Sequence, residues 1–539
     1  MLEKHDGANK YTLGVTSNKE NRNNNSLKTN FDDDQQVFKK KTFRNALPQI
    51  LATCAKNLLL LTYGMTLGIT TIAIPALEQN TNLSNISEST QNLRTDSLKL
   101  TESQISWFSS INLICVPVGC FISGAITQPL GRKRSMMFLN IPFFIVWVLY
   151  YNASNVTTLY IALIISGLAG GLHEAPVLTY VAEITEPYLR GMLGSTAPTT
   201  VIIGTVSQLI LGNFYHWRSV VFFNMFFPIL AFFALSFVPE SPHWLINKGR
   251  FEDAEKSLCW LRGWVSPEEV QQEFSFLKKS IQTKNKKKSI KNVFKNYTLR
   301  TFIIPHLIVI GTFFTGHFGG MMSVQTNAIK LFTLLGTPIN EYTSTLILGV
   351  VELAGAVICV ILVHWTGKRL LLITTTAGCS MCLFVLAFFD YFRNELSSTF
   401  PWIPIVFLNA NAFLIHAGIR LLPWVLIGEM YPTEIRATAS GASALWFYVF
   451  AFFANKSFYW MLNTLKLYGL LGLYALFIGL GSIFFYILLP ETEGYTLYEI
   501  EKHFARKGNI FKTRIQSHRV NEVHATENLK TTSDVESYL

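Results

Sequence analysis

The chain alternates between long apolar stretches and three polar segments at residues 1–49, 239–297 and 491–539. Apolar stretches cover 50–77, 104–127, 136–151, 158–182, 192–212 and 219–238, then 301–323, 343–363, 370–389, 401–427, 437–461 and 468–489. About 20 apolar residues in a helix cross the hydrocarbon core of a bilayer. A backbone in lipid has to satisfy its own hydrogen bonds, so each stretch is predicted to be helical. The expected fold class is an all-α membrane protein with twelve transmembrane helices. The pattern divides the chain into an N-terminal tail (1–49), a six-helix bundle (50–238), a helical linker (239–300), a second six-helix bundle (301–489) and a C-terminal tail (490–539). The first 49 residues and roughly the last 35 have the polar composition of disordered segments.

Charge adds an orientation to this pattern. The net charge of +11 would suit a nucleic-acid partner, but it is concentrated in the polar segments. Lys and Arg number 9 in residues 1–49, 13 in 239–300 and 7 in 491–539. Positive residues gather on the cytosolic side of membrane proteins. Both termini and the linker are therefore expected in the cytosol, with the lipid bilayer and not nucleic acid as the partner. Sequons at Asn82, Asn85, Asn152 and Asn155 fall in outward loops on this topology and are candidate glycosylation sites. Asn296 and Asn455 also match the sequon, but on this topology neither is accessible to the lumen. The first fifty residues are polar and show no cleavable signal. The CxxC of Cys379 and Cys382 lies inside an apolar span and reads as packing. No nucleophile–base pair or metal-ligand set stands out, so no enzyme, metal or cofactor is expected.

A repeat organises the remaining charges. Gly131-Arg132-Lys133-Arg134 follows the second span, and Gly367-Lys368-Arg369 follows the eighth. Glu183 ends the fourth span and Glu429 the tenth, each followed seven positions later by an arginine, Arg190 and Arg436. Glu240 lies in PES after the sixth span and Glu491 in PET after the twelfth. Three kinds of motif recur in the same order in both halves, the mark of a duplicated bundle with its site between the halves. Carboxylates and guanidinium or ammonium groups half withdrawn from water suit a latch, formed when the cytosolic side is closed and broken when it opens. The alternative is a set of charges that anchor helix ends at the interface.

GRKR (131–134), YVAEITEPYLRG (180–191), PESPHWL (239–245), PWVLIGEMYPTEIRATASG (423–441) and PETEGYTLYEIE (490–501) together resemble the sugar porter family of the major facilitator superfamily. That family includes the facilitative glucose transporters and the insect trehalose transporters. The resemblance implies two six-helix bundles that carry a sugar, a hexose or trehalose, by alternating access. The plasma membrane is the default location, supported by the outward sequons, and a monomer is the expected functional unit. Departures from the family pattern fall in two places. Gln128 and His364 replace the acids that precede each basic loop, Leu163 stands near an expected arginine, and His243 replaces another. Around the sugar, Pro198, Gly316, His317, Met322, Glu352 and Leu445 stand where the family places amides. His416 replaces an acid and Arg420 a glycine, while Trp424 and Trp446 are retained.

Ionisable groups at membrane depth are costly and face the bundle interior. The expected substrate-binding set is therefore Trp424, Trp446, Glu352, Arg420, His317 and His416. Glu352 and Arg420 are expected on facing helices, each compensating the other, and either to bind cargo or to close a vestigial cavity. Glu174 beside His173 is a candidate for proton handling. No Asp or Glu occurs between Asp34 and Glu78, where proton-coupled members of the family carry an acid, so uniport is favoured. Proton coupling, transport of an organic ion and a non-transporting sugar receptor stay open as alternatives. Gly64 with Gly68, and Gly167 with Gly171, form faces for close helix contact. GTFFTGHFGG (311–320) reads as a break in a discontinuous helix.

Overall fold

The computed structural model describes residues 43–78, 96, 98–286, 300–431, 436–495 and 497–505. The described residues are helical apart from turns and a single isolated β-bridge between Glu78 and Leu100. Eleven helical stretches are long and apolar enough to cross a membrane, from Arg44–Leu77 to Ala439–Leu488. The last contains 50 residues and turns back at Lys466, where φ is 59° and ψ 178°. It therefore supplies the eleventh and twelfth crossings, and the fold is the twelve-helix one expected. Large apolar side chains stud the outer surface, among them Phe121, Phe237, Trp365 and Trp460. An exposed shell of this kind is stable only against lipid.

Several spans read as continuous are broken. The second splits into Glu102–Phe108 and Ile111–Leu130, and the fourth into Val156–Leu172 and Glu174–Ile184. The seventh ends its first part at Phe318 and resumes at Met321–Thr326. Gly320 makes that break with φ of +87°, and a Cβ there would lie 2.6 Å from Tyr474. The tenth span splits into Ile403–Ala417 and Leu422–Met430. Gly418 permits this, because a Cβ at that position would meet Thr375 Oγ1 at 2.0 Å. Broken helices in a membrane protein are tolerated where they line a cavity or are covered by protein.

Close contact between spans rests on the glycines noted above. A Cβ on Gly64 would lie 2.2 Å from Val201 O, and one on Gly171 would lie 2.1 Å from Val116 O. Spans one and five, and spans two and four, therefore meet backbone to backbone.

The described residues form two compact units, one comprising residues 43–50 with 242–286 and the other the described residues of 51–241 with those of 300–505. In the smaller unit, helices Pro242–Asn247, Phe251–Leu261 and Pro267–Lys286 follow one another. Trp244, Leu245, Ile246, Ala254 and Ile281 form its own apolar core. Arg262 and Glu273 pair at 2.6 Å and hold the second helix of this linker to the third. The larger unit contains the membrane spans, including everything that follows.

Candidate functional site

Two constellations lie in the larger unit. The first is at the face where span one begins and span twelve ends, here called the proximal face. Gly131, with φ of 98°, precedes span three, and Gly367, with φ of 77°, precedes span nine. The first N–H groups of a helix have no partner inside it. Glu240 supplies one, accepting from Arg132 N at 2.9 Å and Lys133 N at 3.0 Å. Glu491 does the same for Lys368 N and Arg369 N, both at 3.0 Å. Each carboxylate also sits at the positive end of a helix dipole. Side-chain pairs complete the pattern. Arg132 pairs with Glu183 at 2.8 Å, and Lys368 pairs with Glu429 at 3.1 Å and also with Glu493. Ser241 donates to the second oxygen of Glu183. Lys133 and Arg369 reach backbone oxygens, Ser236 O at 2.8 Å and Tyr486 O at 2.6 Å. The side chains of Arg190 and Arg436 lie outside the described residues.

The repeated motifs thus build the same device twice. Glu240 and Glu491 act as side-chain caps, a role the reading of charges alone did not assign them. Each of these pairs and caps stays inside its own half.

The second constellation is a small polar cavity between the halves. Spans one, two and five contribute Thr66, Thr70, Asn112 and Thr205; the other half contributes Gln325, Thr326, Arg420 and Asn455. It leaves ≈ 20 Å³, enough for water alone. The hydroxyls of Thr66 and Thr70 donate to their own helix, to Tyr63 O at 2.7 Å and Leu67 O at 2.8 Å. Their oxygens remain acceptors toward the cavity. Asn455 donates to Ser109 O at 3.3 Å and Thr326 Oγ1 at 3.4 Å, which joins the halves. Its side chain is buried.

Of the six residues expected to bind substrate, Arg420 reaches the cavity wall. It lies in the break of span ten, and its Nη1 donates to Met322 Sδ at 2.8 Å. Glu352 is buried one layer behind, where it accepts from Gln325 Nε2 at 2.7 Å. Glu352 and Arg420 form no direct ion pair; the amide of Gln325 takes the Glu352 carboxyl instead. His317 is fully buried against Phe447, with ring centroids 4.5 Å apart and no partner for either nitrogen among the described residues. His416 donates one bond, from Nδ1 to Ala412 O at 3.0 Å. Trp424 packs between Phe313 and Phe447, at 5.4 Å and 5.2 Å.

Trp446 does not line the cavity. It is 38% exposed and contacts Phe450, while the neighbouring Phe447 and Tyr448 are buried. Successive helical positions are about 100° apart, so the retained tryptophan and its two buried neighbours lie on different faces of span eleven. Glu174 accepts from Tyr448 OH at 3.2 Å, and Tyr448 OH meets Tyr63 OH at 3.5 Å, a second polar link between the halves. Lys56 is buried in span one and its Nζ has no partner among the described residues.

On the opposite, distal face, Asn152 and Asn155 are exposed; Asn155 caps span four through Thr158 N at 2.8 Å. Asn82 and Asn85 lie outside the described residues. The distal face also holds the halves together. Asn463 donates to Glu102 at 2.8 Å, Ser106 to Lys456 O at 2.8 Å, and Lys330 pairs with Glu78.

The duplicated bundle, its caps and a polar cavity at mid-depth define a transport architecture. The sequence pattern of the family described as "Sugar (and other) transporter" matches residues 53–504. The chain belongs to that family. Among its relatives is the facilitated trehalose transporter Tret1 of Bombyx mori, 28% identical over 406 residues, covering 75% of this chain and 80% of the relative. The protein of the same name from Apis mellifera ligustica is 25% identical over 499 residues, covering 92% and 96%. The xylose transporter XylE from E. coli, in a partially occluded inward open conformation, shares the fold with a TM-score of 0.65. Its identity is 20%, with 83% of this chain and 99% of that one covered. The chain is thus a multi-pass membrane transporter of the sugar-transporter family, built for alternating access and not for catalysis.

Proposed function

We propose that the protein carries a sugar through the cavity between its halves, as a uniporter, in the plasma membrane with both termini cytosolic. The observation that supports this most strongly is the cavity itself. Hydroxyls, amides and a guanidinium from both halves converge on one place at mid-depth. Sugar hydroxyls both donate and accept, and they bind such mixed groups with little net desolvation loss. A sugar is far larger than ≈ 20 Å³, so binding requires the halves to part at one face. The distal contacts of Glu102, Ser106 and Lys330 favour opening at the proximal face in this conformation. Arg132–Glu183 and Lys368–Glu429 are the pairs of the conformational latch, and in this conformation both are formed, each within its own half.

Uptake of radiolabelled hexoses, trehalose and organic anions into proteoliposomes tests the reading. Saturable flux that unlabelled substrate on the far side accelerates is the expected result. Binding of a sugar without flux above protein-free liposomes would identify a receptor instead.

A further inference from the structure

The cavity wall carries one formally charged side chain, Arg420, and no carboxylate. Its residue is partly accessible even though it sits at mid-depth, and the surface it presents belongs to the cavity. A guanidinium has five N–H donors. Among the described residues the Arg420 side chain uses them for one protein hydrogen bond, to a thioether sulfur, a weak acceptor. The fork is thus almost wholly free to meet a ligand.

The groups that face it do not neutralise it by contact. Glu352 is the acid that acts on it, from behind Gln325, which occupies the carboxylate at 2.7 Å. Tyr63, Tyr448, His317 and His416 also surround it, and none carries a negative charge at neutral pH. Glu174 is engaged by Tyr448, and Lys56 is a second cation, in span one; neither lines the cavity. An arginine with a carboxylate at one remove stays charged without being occupied. A planar guanidinium binds a carboxylate in a bidentate fork, which adds geometric selectivity to charge. The threonine and asparagine groups around it suit hydroxyls.

Resting on the transport reading above, we propose that the cargo is a sugar acid, a polyol bearing one carboxylate, with Arg420 as the residue that selects for the acid group.

The test compares initial uptake of radiolabelled D-glucuronate, D-glucose and trehalose by the full-length protein in proteoliposomes. Glucuronate is expected to enter with a kcat/KM at least tenfold above either neutral sugar, about 1.4 kcal/mol of discrimination. In Arg420→Gln the ratio of glucuronate to glucose uptake is expected to fall at least tenfold, and Arg420→Lys to retain part of it. If the glutamine variant does not reconstitute, the wild-type ratio decides alone. A wild-type ratio at or below one, with saturable glucose or trehalose flux, overturns the sugar-acid cargo and leaves sugar transport intact. A ratio unchanged by Arg420→Gln overturns the role of Arg420. Absence of flux for all three substrates contradicts the transport reading itself.

Discussion

At the scale of single residues, the distal face is anchored by Asp96. Its carboxylate accepts from Arg218 Nε at 2.7 Å, Trp217 Nε1 at 3.0 Å and Leu98 N at 3.1 Å. Arg218 in turn donates to Tyr151 O at 2.8 Å and Ala153 O at 2.7 Å, which ties the end of span three to the start of span six. Burial by itself would raise the Asp96 pKa; the Arg218 hydrogen bonds and charge, with the Leu98 N–H, outweigh it and hold the carboxyl below its ordinary value. A depressed folded-state pKa contributes stability that is fully present above the unfolded value, near 4, and is lost as pH falls through the lowered one. Asp96→Asn is therefore expected to melt at a lower temperature than wild type at pH 7. The gap should narrow below about pH 4. Melting followed by tryptophan fluorescence in detergent measures this, and a gap constant down to pH 3 would refute the assignment.

Residue identity alone did not separate Trp446 from its neighbours. Span eleven carries a run of aromatics, so composition gives no sign of which are buried. Phe447 and Tyr448 are buried while Trp446 is 38% exposed. The cavity threonines were hidden for a different reason. Thr66 and Thr70 satisfy their donors within their own helix, as threonines in many apolar helices do, and look unremarkable in sequence. Gln325 follows a glycine break whose effect on direction the sequence does not reveal. Arg420, by contrast, was legible because a charge in an apolar span has few bland explanations.

At the scale of elements, the repeated caps were half visible. Charges near helix ends are conspicuous in a chain with so few of them, so the residues and their duplication could be read directly. Their partners could not, since the direction of Glu240 depends on how span three meets span six. Because each glutamate accepts two N–H groups at a helix start, its loss strands both donors. Glu240→Ala and Glu491→Ala are each expected to cost about 1 kcal/mol of stability. Glutamine keeps an acceptor and should recover part of the loss. Detergent melting curves read both, and an alanine variant as stable as wild type would remove the capping role. The helix breaks were legible at 311–320, where glycines cluster, but not in spans two and four, whose breaks fall at Ser109–Ser110 and His173.

At the scale of the whole molecule, alternating access requires that contacts at one face break as those at the other form. The described contacts between the halves gather from mid-depth to the distal face, with Asn455 beside the cavity and Asn463 at the far end. The proximal pairs remain within each half. A transporter held in this arrangement can bind and release on one side but cannot complete a cycle. The most direct test is to lock the distal face. Cysteines placed at Glu102 and Asn463, whose side chains meet at 2.8 Å, can be bridged by a short bis-methanethiosulfonate reagent in a background with the exposed native Cys54 replaced. Uptake into proteoliposomes is expected to stop on cross-linking, to recover on reduction, and to be unaffected by the reagent in either single-cysteine variant. Full flux through a completely cross-linked protein would contradict the account.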